Sequence, residues 1–376
     1  VKLVIHSSSR KWCGNETQAL LMALALRRRG HEVVFACHPR GVLLARLRRD
    51  GLPAAAVGPR GPLDLWSVLR FVLWLRGERP DTLLLTSPRR LFWGVVAGRA
   101  AGVRRVLLRI GTVWPDGRSL PRGRGVRPLL RHGIDAVVAN STDVRDNLQR
   151  EEPALRRPGA VRVVRNRVPL GGLLPPAPVR EELGLPPGVP LAAVVAAGLR
   201  PRKGIDVLFR ALARMRADDV HVLVMGTGPG EAWLRGLADE AGVADRVHWL
   251  GFRSDVPAVL AACGVFCSSS RGDSLANAML EAMAAGALVV STAVAGVGEA
   301  LEAGEGRPAA GWVVPVDDEA RLAEALDEAV AAARAETPLA RERREEARAR
   351  LREWYDAGGA WPELEPAIFG TGEGEG

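Results

Sequence analysis

Long apolar runs are absent from this sequence. No stretch approaches the roughly 20 consecutive apolar residues of a membrane-spanning helix, so an integral membrane protein is not expected. The first residues, VKLVIHSSSR, enter a strand-like run directly, without a basic and then apolar leader, so secretion is not expected either. Cysteine is scarce: Cys13, Cys37, Cys263 and Cys267, none in a C-x-x-C pair. Cys263 and Cys267 flank the apolar run CGVFC, as buried free thiols do, and this usage fits a reduced cytoplasm. His31 lies at a turn, His221 opens a strand, and His6 and His38 have no partner legible in sequence. No cluster of metal ligands emerges, so neither a metal nor another cofactor is expected. Nucleic-acid-binding motifs are missing as well.

What is present points to two α/β domains. A chain of 376 residues is long for one core. Its charge is split: residues 1–175 hold 32 Lys and Arg against 12 Asp and Glu, a net of +20, while residues 176–376 have a net of −11. A basic half of this kind suits an anionic partner, and the acidic half argues against a nucleic-acid channel.

Short apolar runs alternate with amphipathic helical stretches. KLVIHSS, EVVFACH, DTLLLTS, RRVLLRI and DAVVANS read as strands of one parallel sheet, and PLAAVVAAG, HVLVMG, RVHWLG, GVFCSSS and ALVVSTAV as strands of another. The Pro- and Gly-rich stretch 168–190 reads as a linker region, and residues 317–353 as one long, solvated helical segment. The fold class expected is two doubly wound, Rossmann-like parallel-sheet domains facing across a cleft. In such folds ligands bind outside the carboxyl ends of the strands.

Three stretches carry chemistry. GLRPRKGIDVLFRAL (198–212) places Arg200, Arg202 and Lys203 at a turn before a helix opened by Gly204 and Ile205. That is either an anion site or a solvated basic turn. MGTGPGEAWL (225–234) has Gly226, Gly228 and Gly230 between strand and helix; it lacks G-x-G-x-x-G spacing and reads equally as a tight turn or a phosphate contact. SRGDSLANAMLEAMAAG (270–286) holds one acid, Glu281, in an otherwise apolar helix, with the small residues Asn277, Ala278, Ala284 and Ala285 around it. A carboxylate there costs several kcal/mol unless hydrogen-bonded, and ribose hydroxyls would satisfy it; pairing with an Arg is the alternative. Asp273 reads as a helix N-cap or a ligand contact, with Ser274 as the other cap candidate.

In order along the chain, WCGNETQALLMALALRRRGHEV, AVVANSTDVRDNL, GLRPRKGID, RVHWLGFRSDVPAVLAACGVFCSSS and SRGDSLANAMLEAMAAGALVVST resemble the glycosyltransferases of family 4, also called glycosyl transferases group 1, which have the GT-B fold. The resemblance implies an acceptor-side domain over 1–167, the linker region 168–190, and a nucleotide-sugar domain over 191–353. A segment near 354–370 would pack back on the first domain. It implies that Glu281 holds the ribose, Asp273 meets the sugar, and Lys203 with Arg200 or Arg202 neutralises the diphosphate. Asp273, Lys203 and Arg200 are then the catalytic candidates. Arg202, Gly204, Gly226, Gly228, Phe252, Ser274, Leu275, Ala276, Asn277 and Glu281 would line the donor, and Gly14, Asn15, Arg109 and Gly111 the acceptor side. The donor implied is a UDP- or GDP-sugar, transferred with retention and without metal to a glycan or lipid-linked acceptor.

This chain departs from the family's usual pattern. Asp273 stands for a Glu, Ser274 for a Gly, Gly198 for an Arg, Arg167 for the Gly of Asn-Gly, and Gly111 lies near the place of a His. Arg109, Thr112 or Asp116 are the residues left to serve there. DLWSVLRFVLWLRGERP (64–80) puts Trp66, Leu69, Leu73 and Trp74 on one helical side with Arg70, Arg76 and Arg79 beside it, and 120–133 adds more Arg. That face either meets an anionic membrane surface or packs on the first sheet. The sequence thus predicts a cytoplasmic enzyme of cell-envelope glycan synthesis, peripheral on the inner membrane face. A non-catalytic nucleotide-sugar-binding subunit and a nucleotide-sugar epimerase are the alternatives.

Overall fold

The computed structural model describes residues 1–61, 64–120, 126–169, 175–196, 198–304, 306–355 and 361–370. The chain divides into two compact units. One comprises Val1–Val113, Gly117–Arg167 and Tyr355–Gly376; the other comprises Trp114–Asp116 and Val168–Trp354.

The first unit is built on β1 (Lys2–Ser7), β2 (Glu32–Cys37), β3 (Ala54–Ala55), β4 (Thr82–Leu85), β5 (Arg105–Ile110), β6 (Ala136–Ala139) and β7 (Val161–Val163), in the order β3-β2-β1-β4-β5-β6-β7. The second is built on β8 (Leu191–Val195), β9 (His221–Met225), β10 (Val247–Gly251), β11 (Val265–Ser268), β12 (Leu288–Thr292) and β13 (Gly311–Val314), in the order β10-β9-β8-β11-β12-β13. Every pairing is parallel. The two parallel-sheet α/β domains expected from sequence are therefore both present.

The reason lies in the strand residues. Leu3, Val4, Ile5, Leu83, Leu84, Val106, Leu107 and Leu108 are fully buried, so helices must cover both faces of the sheet. Strand order reverses between β1 and β4 in one sheet and between β8 and β11 in the other. At such a point the loops leaving neighbouring strands part to opposite faces and open a crevice.

The structure adds what sequence reading left out. β3, β7 and β13 are short strands at sheet edges. Residues 317–353 form two helices, Glu319–Arg334 and Pro338–Trp354, not one, with Glu336 at positive φ between them. Nor is this segment solvated throughout: Leu322, Leu326, Ala329 and Val330 fill the second core. Arg350 is buried against the carbonyls of Glu302 and Pro308, at 2.7 and 2.8 Å.

Within 168–190, residues 170–174 lie outside the described residues. A helical turn, Val179–Glu182, buries Val179, and Arg180 bonds the carbonyls of Ala262 and Val189. Trp361, Leu364, Ala367 and Ile368 are buried in the first core, whereas residues 356–360 lie outside the description. Of the basic stretch 120–133, residues 121–125 also lie outside it. Among the described residues no helix is long and apolar enough to cross a membrane.

Candidate functional site

The loops leaving β8 and β11, at the strand-order reversal of the second sheet, bring the sequence-marked residues together. A 3-10 turn, Pro201–Lys203, precedes the helix Ile205–Arg214, and Gly204 caps it at φ 60°. A Cβ on Gly204 would sit 1.8 Å from the Ser269 carbonyl oxygen, so only glycine lets the two loops meet. Hydrogen bonds then join them. The Arg271 amide donates to the Arg202 carbonyl (2.8 Å), the Ser269 hydroxyl to the Lys203 carbonyl (3.2 Å), and Arg202 Nη1 to the Gly272 carbonyl (2.9 Å). Arg271, which sequence reasoning passed over, pins the pair from beneath through Asp206 (2.6 and 2.8 Å), Asp317 (2.5 Å) and the Pro201 carbonyl (2.6 Å).

Across this joint Lys203 Nζ lies 2.5 Å from Asp273 Oδ2, with Arg202 Nη1 4.0 Å from the other carboxylate oxygen. Burial pushes the Asp273 carboxyl up, but Lys203 and Arg202 outweigh it and hold it below the usual carboxylate range. Asp273 and Ser274 are not helix caps. The helix runs Asn277–Ala285 and Ala276 is its N-cap, without a side-chain cap bond. Ser274 and Leu275 are buried beneath the loop.

Glu281 stands one turn into that helix. Met279, Leu280, Ala282 and Met283 face the core, while Asn277, Ala278, Ala284 and Ala285 share its partly open side. Burial raises its carboxyl to about 7, and among the described residues it has no hydrogen-bond or ion-pair partner. The Arg pairing considered from sequence is therefore not made. Arg200, at the N-cap of the 3-10 turn, is exposed and has no carboxylate partner among the described residues. Phe252 follows β10 and is 73% exposed.

Gly226 and Gly228, expected as ligand contacts, have a packing role in the fold. A Cβ on Gly226 would lie 2.1 Å from the Ala196 carbonyl oxygen, on Gly228 2.5 Å from the Leu199 nitrogen, and on Gly230 2.5 Å from the Leu199 oxygen. These glycines let the turn after β9 press against the loop after β8, and so position Arg200 and Lys203.

In the first unit the acceptor-side candidates are tied into the fold by hydrogen bonds and close packing. Arg109, 3% exposed, donates from Nη1 to Asn15 Oδ1 (2.9 Å) and from Nη2 to Asn166 Oδ1. Burial lowers it to about 10. Its guanidinium ties the first turn of the helix Gly14–Arg28 to the loop after β7. Gly14 opens the helix Gly14–Arg28, and buried Glu16 completes a capping box at Cys13 while accepting from Ser7 Oγ (3.1 Å). A Cβ on Gly111 would lie 2.9 Å from Asn140 Nδ2, which leaves no room for the family's His unless Asn140 moves. The sequence reading passed over Glu16; an acid three residues after the cap is its signal.

Four of the six histidines pack or pair within the fold. His6 is buried beside Phe71 and held at about 4 by desolvation. His31 meets Glu365 at 2.6 Å, and His221 meets His248 at 2.7 Å. All four cysteines are free thiols, each pushed up to about 12 by burial. Among the described residues no group of three or more His, Cys, Asp and Glu could hold a metal ion.

The helix Leu65–Glu78 buries Ser67, Val68, Phe71, Val72 and Leu75. Trp66, Leu69 and Leu73 are instead 68, 47 and 56% exposed, which rules out packing on the sheet for these three; Trp74 stacks on Phe71.

Comparison with known proteins agrees with this fold. The family model for Glycosyltransferase Family 4 matches residues 12–170, and that for Glycosyl transferases group 1 matches residues 191–332. The chain is 30% identical over 197 residues to the lipopolysaccharide core biosynthesis glycosyltransferase LpsE of Rhizobium meliloti, covering 52% of this chain and 54% of that one. It is 35% identical over 164 residues to the D-inositol 3-phosphate glycosyltransferase of Stackebrandtia nassauensis, covering 40% and 36%. The chain thus spans about a third to about a half of the length of these relatives. The crystal structure of Anabaena Alr3699/HepE in complex with UDP-glucose superposes with a TM-score of 0.81 at 21% identity, over 96% of this chain and 98% of that one. With both sheets parallel, both halves matched and the fold shared end to end, the chain belongs to glycosyltransferase family 4, the glycosyl transferases group 1, and has the GT-B fold.

Proposed function

We propose that this protein is a glycosyltransferase that moves a sugar from a nucleotide-sugar, a UDP- or GDP-sugar, to a lipid-linked or cell-envelope glycan, with retention and without metal. One observation carries the reading. At the β8/β11 reversal two loops meet in the Lys203–Asp273 pair, and the helix that follows the second loop carries a largely buried carboxyl, Glu281, that has no partner among the described residues.

Each group then has a task. Glu281 accepts from the two ribose hydroxyls, and Asp273 accepts from sugar hydroxyls. Phe252 offers an exposed ring to the base. As the bond between the sugar's anomeric carbon and the diphosphate oxygen breaks, its electron pair goes to the diphosphate. Lys203, Arg200 and Arg202 stabilise the negative charge where it develops. The acceptor hydroxyl oxygen bonds to the anomeric carbon, and its proton goes to the diphosphate oxygen that has just left. The UDP-glucose bound by the Anabaena protein supports a UDP-sugar donor. The lipopolysaccharide-related relative supports an envelope glycan as acceptor. The exposed Trp66, Leu69 and Leu73 beside Arg70 and Arg76 support a position on an anionic membrane surface.

The test is a metal-free thermal-shift screen of UDP- and GDP-sugars, followed by donor hydrolysis and transfer assays. A stabilising donor that Lys203→Ala and Glu281→Ala no longer bind, and that Asp273→Ala binds but does not turn over, supports the reading. Equal loss of binding in all three variants removes the role given to Asp273.

A further inference from the structure

The first sheet has its own reversal, between β1 and β4, and the loops there carry a second set of cations. Arg10 follows β1, His38 and Arg40 follow β2, Arg60 follows β3, and Arg90 follows β4. These strands are consecutive neighbours in the order β3-β2-β1-β4, so the cations line one edge about 14 Å wide. Hydrogen bonds link them: Arg10 Nε lies 3.3 Å from His38 Nε2, the Arg40 amide 3.0 Å from His38 Nδ1, and Arg90 Nη2 2.9 Å from the Arg60 carbonyl oxygen.

Two features mark this edge as awaiting an anion. First, Arg10, Arg40, Arg60 and Arg90 have no carboxylate partner among the described residues, whereas Arg46, Arg99 and Arg104 of the same unit pair with Asp50, Asp135 and Asp81. Asp64, which shares a shallow pocket with Arg60, Trp66 and Arg70, spends an oxygen capping the next helix at Ser67. Second, both ring nitrogens of His38 face N–H donors. A neutral imidazole has a single acceptor nitrogen, so one of those contacts sets hydrogen against hydrogen. Partial burial and the field of Arg10, Arg60, Arg40 and Arg90 push that ring below the usual histidine range. An anionic oxygen between His38 and its neighbours would accept from both.

We propose that Arg10, His38, Arg40, Arg60 and Arg90 form a binding site for a phosphate or diphosphate group. Given the transfer reaction above, on which this assignment rests, that group belongs to the acceptor or to the lipid headgroup that presents it. Several guanidiniums along one edge suit a multiply charged phosphate better than a lone carboxylate.

The full-length protein carrying Lys203→Ala, which disables the donor's phosphate site, is titrated calorimetrically with inorganic pyrophosphate. It is also floated with vesicles of about seven parts phosphatidylcholine to three parts phosphatidylglycerol. Pyrophosphate binding that weakens about tenfold or more on adding Arg40→Ala and Arg60→Ala supports the site, with the acceptor's own phosphate as its ligand. Vesicle binding that weakens in the same way, without pyrophosphate binding, supports the site with the headgroup as ligand. If neither probe binds, or neither responds to the two substitutions, the proposal falls. UDP-glucose binding to the parent protein is measured alongside. Its absence counts against the transfer reading, while its presence with an unresponsive edge overturns the phosphate site alone.

Discussion

Lys203 Nζ and Asp273 Oδ2, 70 residues apart in sequence, stand 2.5 Å apart across two loops joined by the Arg271–Arg202 backbone hydrogen bond. The ammonium offsets the burial of the carboxylate and keeps it charged, and the carboxylate fixes where the ammonium points. Lys203→Ala is therefore expected to weaken donor binding by about ten- to a hundredfold, and to let burial raise the Asp273 carboxyl. Calorimetry with UDP- and GDP-sugars at several pH values measures both. An unchanged affinity would take Lys203 out of the donor site.

Glu281→Gln gives a pH signature. The carboxyl titrates at about 7 in the folded chain against 4.5 in the unfolded one, so the folded chain retains a proton in that interval. Stability then falls as pH rises from 4.5 towards 7. The Gln variant lacks this loss. It should be more stable than the parent at about pH 8, by on the order of 2 kcal/mol, and no more stable at about pH 4. Urea unfolding without ligand tests this. Donor binding should move the opposite way, since an amide accepts ribose hydroxyls less strongly than a carboxylate.

Gly204→Ala should destabilise the second unit by about 3 kcal/mol or more, because the φ of 60° is strained for alanine and the new Cβ meets backbone at 1.8 Å. Gly236→Ala is the matched control. It lies exposed in the helix Glu231–Glu240 with nothing near its Cβ position, and should stabilise by about 0.5–1 kcal/mol. Denaturant midpoints of the two variants moving in the same direction would contradict the geometry.

Replacing Trp66, Leu69 and Leu73 together by Ser should cut flotation with anionic vesicles about tenfold, without altering donor affinity. These side chains are 68, 47 and 56% exposed, so their loss should leave the melting temperature nearly unchanged. Equal flotation of parent and variant would dissociate this face from the membrane.

The central strands were legible because a buried parallel strand is a short apolar run between turns, as in TLLL and LVVST. β3, β7 and β13 were not, because two to four residues at a sheet edge carry too little pattern. Glu281 was legible as the one acid in an apolar helix. The burial of Arg109 was not: RRVLLRI reads as any strand with basic ends, and its partners Asn15 and Asn166 are 94 and 57 residues away. The reason for Gly228 was equally hidden, since it depends on how closely a second loop approaches.

The return of Trp361, Leu364 and Ile368 to the first core bears on the order of synthesis. A ribosome makes all seven strands of the first sheet early, but the side chains that complete its packing emerge only after the second unit. Until then Leu26, Phe35 and Leu47 belong to a core still missing its last pieces. The second unit, apart from Trp114–Asp116, is one continuous stretch and needs no later residue, so the domain made first is the one finished last.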